Sequence, residues 1–195
     1  MKTGPSQLLL ATTTDLIVQL GWGQVSTRKV ASAAGLSPSI VHYHFRSIDD
    51  LRRQAALAGV QAAVEELVTS LVSSDDIARG ITAGFTDLAA TCGSDSAMIL
   101  MNEAALAATR EPELGRCLAT LWDDARRTIA DWLRAVAPHI ADPDAVAATI
   151  AATIDGAAIQ HSIDPRTRLE AIAEQLTILA HPSPSPEGKA PPDEH

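Results

Sequence analysis

The chain has 195 residues, an apolar content of 46% and a formal net charge of −9. That length and apolar content are enough to bury a real core, in one domain or in a small domain joined to a larger one. No run approaches the roughly 18 apolar residues of a membrane span, and the apolar patch Leu8-Leu9-Leu10-Ala11 is too short for a signal peptide. We therefore expect a cytoplasmic protein that makes no contact with a membrane.

The first elements in chain order are an amphipathic helix and a short helix, separated by a break. The first helix is predicted over about 6–20 and is followed by Gly21-Trp22-Gly23. The second is predicted over 27–34, since Ser26 or Thr27 can accept a hydrogen bond from a free amide of the first turn. Alanine is abundant and aromatic residues make up only 3% of the chain, which favours closely packed helices throughout.

A tight corner then joins the second helix to a third. Gly35 suits the left-handed position that ends a helix, Ser37 can cap the next one, and Pro38 fits its first position because no N–H is needed there. Two short helices joined in this way predict a helix-turn-helix. An ordinary αα-corner with a solvated face is the alternative interpretation of the same segment.

The third helix separates an apolar side from a polar side when its residues are placed at 100° intervals. The side predicted to pack consists of Pro38, Val41 and Phe45, and the polar side consists of Ser39, His42, Tyr43 and Arg46. A short helix with a mixed hydrogen-bonding face suits the major groove of DNA. The charge distribution also favours DNA binding by this part of the chain, because residues 1–55 carry a net charge of +3 and the remainder carries −12.

The rest of the chain predicts six further helices. They cover about 48–72, 77–91, 96–109, 112–136, 143–162 and 165–180, the last two starting at Asp142-Pro143 and Asp164-Pro165. The proline-rich segment 182–195 is predicted to be a disordered tail. Cys92 and Cys117 have no metal-binding spacing and are interpreted as reduced, small apolar residues.

An enzyme is the competing class, and its parts are missing from the sequence. His42 and His44 are about 200° apart on one helix, so they cannot bind a common metal ion. His139 and His161 have no Ser, Cys or paired carboxylate in a recognisable arrangement, and no glycine-rich phosphate loop occurs. We predict no catalytic residue, no metal and no cofactor.

The first fifty residues resemble the DNA-binding domain of the tetracycline-repressor (TetR) family of bacterial transcriptional regulators. The resemblance rests on the first helix and on these motifs: Gly21-Trp22-Gly23, Ala34-Gly35-Leu36-Ser37, the ending Val41…His44-Phe45, and the helix start Ser47…Asp50-Leu51. It implies an N-terminal helix-turn-helix domain over 1–50 and a helical ligand-binding and dimerisation domain over 51–181. Residues in or beside the major groove would be Pro38, Ser39, Ile40, His42 and Tyr43, with Ser26, Thr27 and Arg28 near phosphates.

Two residues depart from the pattern of the family. His42 replaces the usual Tyr, with the aromatic side chain moved to Tyr43, and Ile48 replaces a phosphate-binding Lys. Arg46, Arg28 or Lys29 are candidates for the lost phosphate contact. The operator of better-known relatives therefore does not transfer to this chain.

The resemblance further implies a ligand cavity between helices five and eight, and a homodimer formed by the last two helices. Candidate lining residues are Phe85, Met98, Met101, Trp122 and Trp132, and candidate polar contacts are Asn102, Glu103, Arg126, Asp155, Gln160 and His161. An acidic residue in the cavity would indicate a cationic ligand, whereas Arg126 in the cavity would indicate an anionic ligand. Small residues at Ala145, Ala148 and Ala152 and a stripe of Leu169, Ile172, Leu176 and Leu179 allow dimer packing, although a monomer could bury the same residues.

The predicted function is that of a ligand-responsive transcriptional regulator. It would act as a repressor that leaves a palindromic operator when a small molecule binds the C-terminal domain, with the fourth helix as the lever between the two sites. Activation is the other possible outcome of DNA binding. The alternative function is a dimeric DNA-binding regulator that has no small-molecule effector and is controlled by a protein partner. An apolar cavity of several hundred Å³ would favour the first of these, and a solid or polar interior the second.

Overall fold

The computed structural model describes residues 4–92 and 95–180, which form nine α-helices and no β-strand. The predicted all-α class is confirmed. The helices are α1 (Pro5–Leu20), α2 (Thr27–Ala33), α3 (Pro38–His44), α4 (Ile48–Val72), α5 (Ile77–Cys92), α6 (Asp95–Ala108), α7 (Pro112–Val136), α8 (Pro143–Ile163) and α9 (Leu169–Ala180). A 3₁₀ helix over Trp22–Gln24 lies between α1 and α2. The predicted tail and the side chain of Cys92 lie outside the described residues, and Cys117 is a free, half-buried thiol.

The start of α9 was predicted wrongly. Asp142 caps α8 as expected, because its carboxylate accepts the Ala145 N–H at 2.9 Å, but Asp164-Pro165 does not begin the last helix. Asp164 ends α8 with an extended backbone, and its carboxylate accepts hydrogen bonds from the backbone N–H and the guanidinium of Arg166. These bonds hold a turn that separates the two helices, so α9 begins only at Leu169.

Two apolar cores lie in the described part of the chain, and α4 contributes to both. The N-terminal core joins α1–α4 to α6 and α7, and it includes Leu9, Ile17, Val30, Val41, Phe45, Leu51, Val60, Leu100, Leu114 and Leu118. The C-terminal core joins α5 and α7–α9 to the end of α4, and it includes Leu71, Ile81, Phe85, Leu133, Ile150 and Leu176. Because Leu100 and Leu114 complete the N-terminal core, the first three helices do not pack alone, and a movement of α6 acts directly on them.

Gly80 allows the closest helix contact in the C-terminal core. A Cβ at this position would lie 2.6 Å from Cζ2 of Trp132 and would also contact the backbone oxygen of Leu71. The indole of Trp132 is held in place, since its Nε1–H donates to the carbonyl oxygen of Ser74 at 2.7 Å. The helix α5 therefore depends on the missing side chain of Gly80 to reach α4 and α7.

One described helix, α4, is long and apolar enough to cross a membrane by length and composition, with a mean hydropathy of 1.4 over its best window. Its sequence is interrupted by Gln61, Glu65 and Glu66. It also packs against α1, α5, α6 and α7, and its buried residues belong to the two cores. These contacts are those of the central helix of a folded helical domain.

Candidate DNA-binding face and ligand cavity

The corner between α2 and α3 has the predicted geometry. The hydroxyl of Ser26 accepts the Lys29 N–H at 3.4 Å, and Gly35 has the left-handed φ of +66°. The N–H of Leu36 donates to the carbonyl of Ala31 at 2.9 Å, and that of Gly35 to Ser32 at 3.2 Å. This pair of hydrogen bonds is the Schellman motif, which ends α2 and turns the chain sharply into α3.

Two details of the α3 prediction are wrong. Ser37 occupies the position before the helix, but its hydroxyl lies 2.7 Å from the Ser39 hydroxyl and makes no cap to the helix backbone. Pro38 is exposed, whereas Val41 and Phe45 are buried in the N-terminal core as predicted. At the first turn of a helix the side chain points back toward the preceding loop, and here that direction leads to solvent.

The polar side of α3 is free for contact. Ser39, His42 and Arg46 are exposed, and Tyr43 is 83% exposed, the largest value among the large apolar and aromatic side chains described. The ring of Tyr43 packs edge-on against that of His44, with centroids 5.0 Å apart. Ser26 and Arg28 are exposed at the start of α2, while Thr27 and Ile40 are half-buried. The proposed DNA-binding face consists of the nine predicted residues, which are Ser26, Thr27, Arg28, Pro38, Ser39, Ile40, His42, Tyr43 and Arg46.

Asp50 fixes the junction between α3 and α4. Its carboxylate accepts hydrogen bonds from the side chain of Gln54 and from the backbone N–H of Arg46. Its own N–H donates to the Ser47 hydroxyl at 3.0 Å, which caps α4. The hydrogen bond from Gln54, followed by that from Arg46 and the charge of Arg53, lowers the pKa of Asp50 despite its burial. Because Asp50 binds only the backbone of Arg46, the guanidinium of Arg46 remains available to a phosphate.

A cavity of about 270 Å³ lies among α4, α5, α6, α7 and α8. Most of its lining is apolar, and the polar or aromatic exceptions are Asn102, Trp122 and Asp155. Five of the eleven candidate residues line it: Met98, Met101, Asn102, Trp122 and Asp155. The volume is close to the lower end of the usual range for small-molecule sites, roughly 300–1,000 Å³.

The other six candidates do not line this cavity: they are Phe85, Glu103, Arg126, Trp132, Gln160 and His161. Phe85 is buried against α9, because α5 turns that face toward the C-terminal core. Arg126 lies on α7 outside the wall and forms an ion pair with Asp123 one turn earlier. Trp132 is also in the core, and the Nδ1 of His161 lies 3.1 Å from the carbonyl oxygen of Thr167.

The remaining wall residues were not predicted. They are Ala63, Val64, Leu67, Leu88, Ala97, Ala105, Ile154, Ala158 and Ile159. In the sequence they look like ordinary core positions of four different helices, and only their arrangement around one volume distinguishes them. No local signal could have found them.

Glu103 belongs to a junction with the N-terminal helices, although it was considered as a ligand contact. Its carboxylate accepts the backbone N–H of Trp22 at 2.6 Å. The indole N–H of Trp22 donates to Glu111 at 2.8 Å, and the Trp22 carbonyl accepts from Arg52 at 2.9 Å. The Arg52 guanidinium also lies 5.4 Å from the centre of the Trp22 ring. We name these four residues, Trp22, Arg52, Glu103 and Glu111, the Trp22 junction.

The outer side of α8 and α9 carries exposed apolar residues. Ile163 is exposed on α8, and Ile178 and Leu179 on α9, with 79% of Ile163 and 75% of Leu179 accessible. Ile159 on α8 is exposed as well, although it also lines the cavity. Ala145, Ala148 and Ala152 are exposed on α8 as well. Leu169 and Leu176, predicted with Leu179 as one dimer stripe, are instead buried in the C-terminal core. The exposed apolar surface is therefore narrower than the stripe predicted from periodicity.

Comparison with known families agrees with this architecture. Residues 9–55 match the family model described as "Bacterial regulatory proteins, tetR family", and residues 87–180 match "BetI-type transcriptional repressor, C-terminal". The chain belongs to the TetR family of transcriptional regulators. Members of this family are transcriptional regulators and not enzymes, so the predicted class is confirmed. A search of curated proteins gives no match.

Solved structures of TetR-family and related regulators share the fold. A transcriptional regulator of Streptomyces coelicolor A3(2) is 22% identical, with coverage of 91% of this chain and 98% of the other and a TM-score of 0.72. A TetR-family regulator of Mesorhizobium loti MAFF303099 is 17% identical, with coverage of 90% and 92% and a TM-score of 0.71. A regulator of Saccharomonospora viridis in complex with choline is 23% identical, with coverage of 91% and 96% and a TM-score of 0.68.

Proposed function

We propose that this regulator is a repressor that binds a palindromic operator and leaves it when a small molecule occupies the cavity among α4–α8. One observation carries the proposal: α6 lines the cavity with Met101 and Asn102, and the next residue, Glu103, binds the backbone of Trp22. A ligand that displaces α6 would therefore also displace the Trp22 junction, which precedes the helix-turn-helix.

The route from cavity to DNA continues through α4. Arg52, near the start of α4, binds the Trp22 carbonyl, and Ala63, Val64 and Leu67, further along the same helix, line the cavity. Both α4 and α6 thus connect the cavity with the Trp22 junction, which supports the predicted lever and adds a second connection. A ligand that prefers the conformation with poor DNA affinity weakens DNA binding by its difference in affinity for the two states, about 1–3 kcal/mol in typical cases.

A homodimer would place two copies of α3 on one duplex. The exposed apolar surface of α8 and α9, with Ile163 and Leu179, supports self-association through those helices. A two-fold dimer would present its recognition helices about 34 Å apart, one turn of B-DNA. Light scattering at micromolar concentration should give twice the chain mass, and a monomer mass would contradict this part of the proposal.

The residues before about position 50 would bind DNA, and those after it would bind the ligand. The protein would act in the cytoplasm. Two related structures support a small-molecule effector: the S. viridis regulator contains choline, and the multidrug binding protein EbrR, 24% identical with a TM-score of 0.70, contains imidazole. The apolar cavity favours this function over control by a protein partner alone.

A cavity-filling substitution tests the release mechanism without a known ligand. Ala105 lines the cavity on α6, so Ala105→Phe would place a ring where a ligand would lie. Binding of fluorescent DNA from the region upstream of the chain's own gene should weaken about 5- to 150-fold, the usual range of allosteric coupling. Leu106→Phe is the matched control, because Leu106 is the next residue and is 55% exposed.

Three outcomes separate the possible functions. Equal affinity of the wild type for the upstream segment and for random DNA would contradict operator binding. Tight operator binding by both Phe variants, combined with no effect of any cavity ligand, would favour regulation by a protein partner. Loss of operator affinity in Ala105→Phe alone supports the proposed release.

A further inference from the structure

The cavity has one ionisable side chain in its described lining, the carboxylate of Asp155 on α8. Asp155 forms no hydrogen bond or ion pair with any other residue that the structure describes. Desolvation by its surroundings raises the pKa of Asp155, and the charge of Arg126 offsets this only in part. A carboxylate in this position is stabilised by any cation that enters the cavity.

The charges nearby decide between a cationic and an anionic ligand. Arg126 is paired with Asp123 on the same helix and does not line the wall, and its charge lowers the pKa of Asp155 by less than desolvation raises it. Glu103, the other acidic candidate, is engaged with the backbone of Trp22. Asp155 is the one ionisable group in the described lining, and its carboxylate attracts a cation and repels a carboxylate or phosphate.

The other polar groups of the wall favour a cation that donates hydrogen bonds. Asn102 and the indole of Trp122 line the same cavity, and neither makes a hydrogen bond to another described residue. Asn102 offers a carbonyl oxygen as acceptor, and Trp122 offers an aromatic face that attracts a cation. Trp122 is the single aromatic residue among the described lining residues, whereas a cage of several rings is the usual site for a quaternary ammonium group.

We propose that the effector is a small primary or secondary amine, bound as the ammonium ion, with its N–H groups donating to Asp155 and Asn102. Its apolar body would pack against Met98, Met101 and the aliphatic wall, which adapts to different shapes because Met side chains are flexible. The volume of about 270 Å³ limits this body to a short alkyl chain or one ring. This inference deepens the proposed function, on which it rests, by naming the chemical class of its ligand.

Titration calorimetry with four probes of equal chain length tests the proposal. The probes are n-hexylammonium, hexyltrimethylammonium, 1-hexanol and hexanoate. The wild type should bind n-hexylammonium most tightly, because the other three lack either the charge or the N–H donors. Asp155→Asn should weaken n-hexylammonium binding about 10- to 100-fold, as expected when a charge-assisted hydrogen bond is lost, and leave 1-hexanol within twofold.

Two variants control for charge and folding. Asp124→Asn changes the net charge equally at an exposed α7 residue that pairs with Arg127 and does not line the cavity, so it should bind n-hexylammonium like the wild type. Asp155→Glu keeps the carboxylate and should retain affinity within a few fold. If Asp155→Asn does not fold, the order of the wild-type affinities for the four probes still tests the proposal.

The result that would overturn the proposal is tighter binding of hexanoate, 1-hexanol or hexyltrimethylammonium than of n-hexylammonium. Equal affinity of Asp155→Asn and wild type for the amine, or no amine binding at millimolar concentration, would overturn it as well. Operator release is read separately. If n-hexylammonium binds through Asp155 but leaves operator affinity unchanged, the ligand class stands and the release mechanism fails. If a different probe releases the operator, the release mechanism stands and the proposed ligand class fails.

Discussion

The two functional regions of this molecule are built in different ways. The proposed DNA-binding face lies on two seven-residue helices joined by a tight turn, and its geometry follows from neighbours in sequence such as Ser26, Gly35 and Leu36. The cavity takes residues from five helices that are up to about a hundred positions apart, and each contributes between one and five side chains. Local hydrogen bonds specify the first region, and long-range packing specifies the second. Substitutions should therefore act differently in the two regions.

The largest expected difference between the regions is in stability. Gly80→Ala forces a methyl group against the Leu71 backbone and the Trp132 ring, so the free energy of unfolding should fall by about 3 kcal/mol or more. Gly35→Ala meets no atom within 4 Å and costs only the left-handed backbone, about 1 kcal/mol. Urea denaturation of both variants measures the difference. A larger loss for Gly35→Ala would contradict the view that long-range packing dominates in the C-terminal core.

The next effect concerns how the DNA-binding face reads sequence. Tyr43 is exposed on α3 and supports no core, so Tyr43→Ala should leave the unfolding midpoint unchanged. Operator affinity should fall about 10- to 100-fold, with a smaller loss on random DNA, because base contacts carry the specificity. Fluorescence anisotropy on both DNAs gives the comparison.

Arg28→Ala serves as the matched variant for phosphate contact. Arg28 is exposed at the start of α2, and its loss should weaken binding to both DNAs similarly and reduce the salt slope by about one. Equal losses on both DNAs for Tyr43→Ala would remove Tyr43 from the base-reading residues. If Arg28→Ala lowers affinity for the operator but not for random DNA, Arg28 belongs among the base-reading residues.

The smallest effect is a pH dependence specific to the cavity. The raised pKa of Asp155 means that it takes up a proton at higher pH than an ordinary Asp, and Arg126 is the charged group that opposes this. Amine affinity should therefore decrease as pH falls through that pKa, by up to about tenfold per unit below it. Operator affinity in the absence of amine should lack this step, and calorimetry across the acid range distinguishes the two.

The same raised pKa affects the protein without ligand. The folded state holds the Asp155 proton more tightly than the unfolded chain does. The resulting contribution to stability is therefore present below the ordinary pKa of Asp and is lost as pH rises through the raised value. Asp155→Asn should remove this dependence, which thermal unfolding at several pH values measures.

The success of the sequence predictions follows the same division. The bounds of α4 and the turn at Gly35 are correct because caps and turn residues act within a few positions. Errors at Pro38 and Ser37 concern side-chain direction, which periodicity alone does not determine. The predicted start of α9 is wrong because Asp164 bonds Arg166 and holds a turn, an outcome that competes with helix capping for the same residue type.

Cavity residues were predicted from the size and polarity of their side chains, and not from where those side chains lie in the fold. Met98, Met101, Asn102, Trp122 and Asp155 were identified as large or polar residues on suitable helices, and the structure places them around one volume. Phe85 satisfied the same criterion but lies on the face of α5 that packs against α9. Because α5 has apolar residues on more than one side, the composition of this helix does not reveal which side faces the cavity.

By itself, the sequence determined the order of the helices, the capped corner of the helix-turn-helix and the charge separation between its two parts. These properties depend on neighbouring residues and on composition. Only the tertiary structure decided that Glu103 binds Trp22, that Arg126 pairs with Asp123 outside the cavity wall, and that Asp155 lines the cavity. Each of these depends on which helix faces meet, and many helix arrangements are compatible with the same pattern of apolar residues.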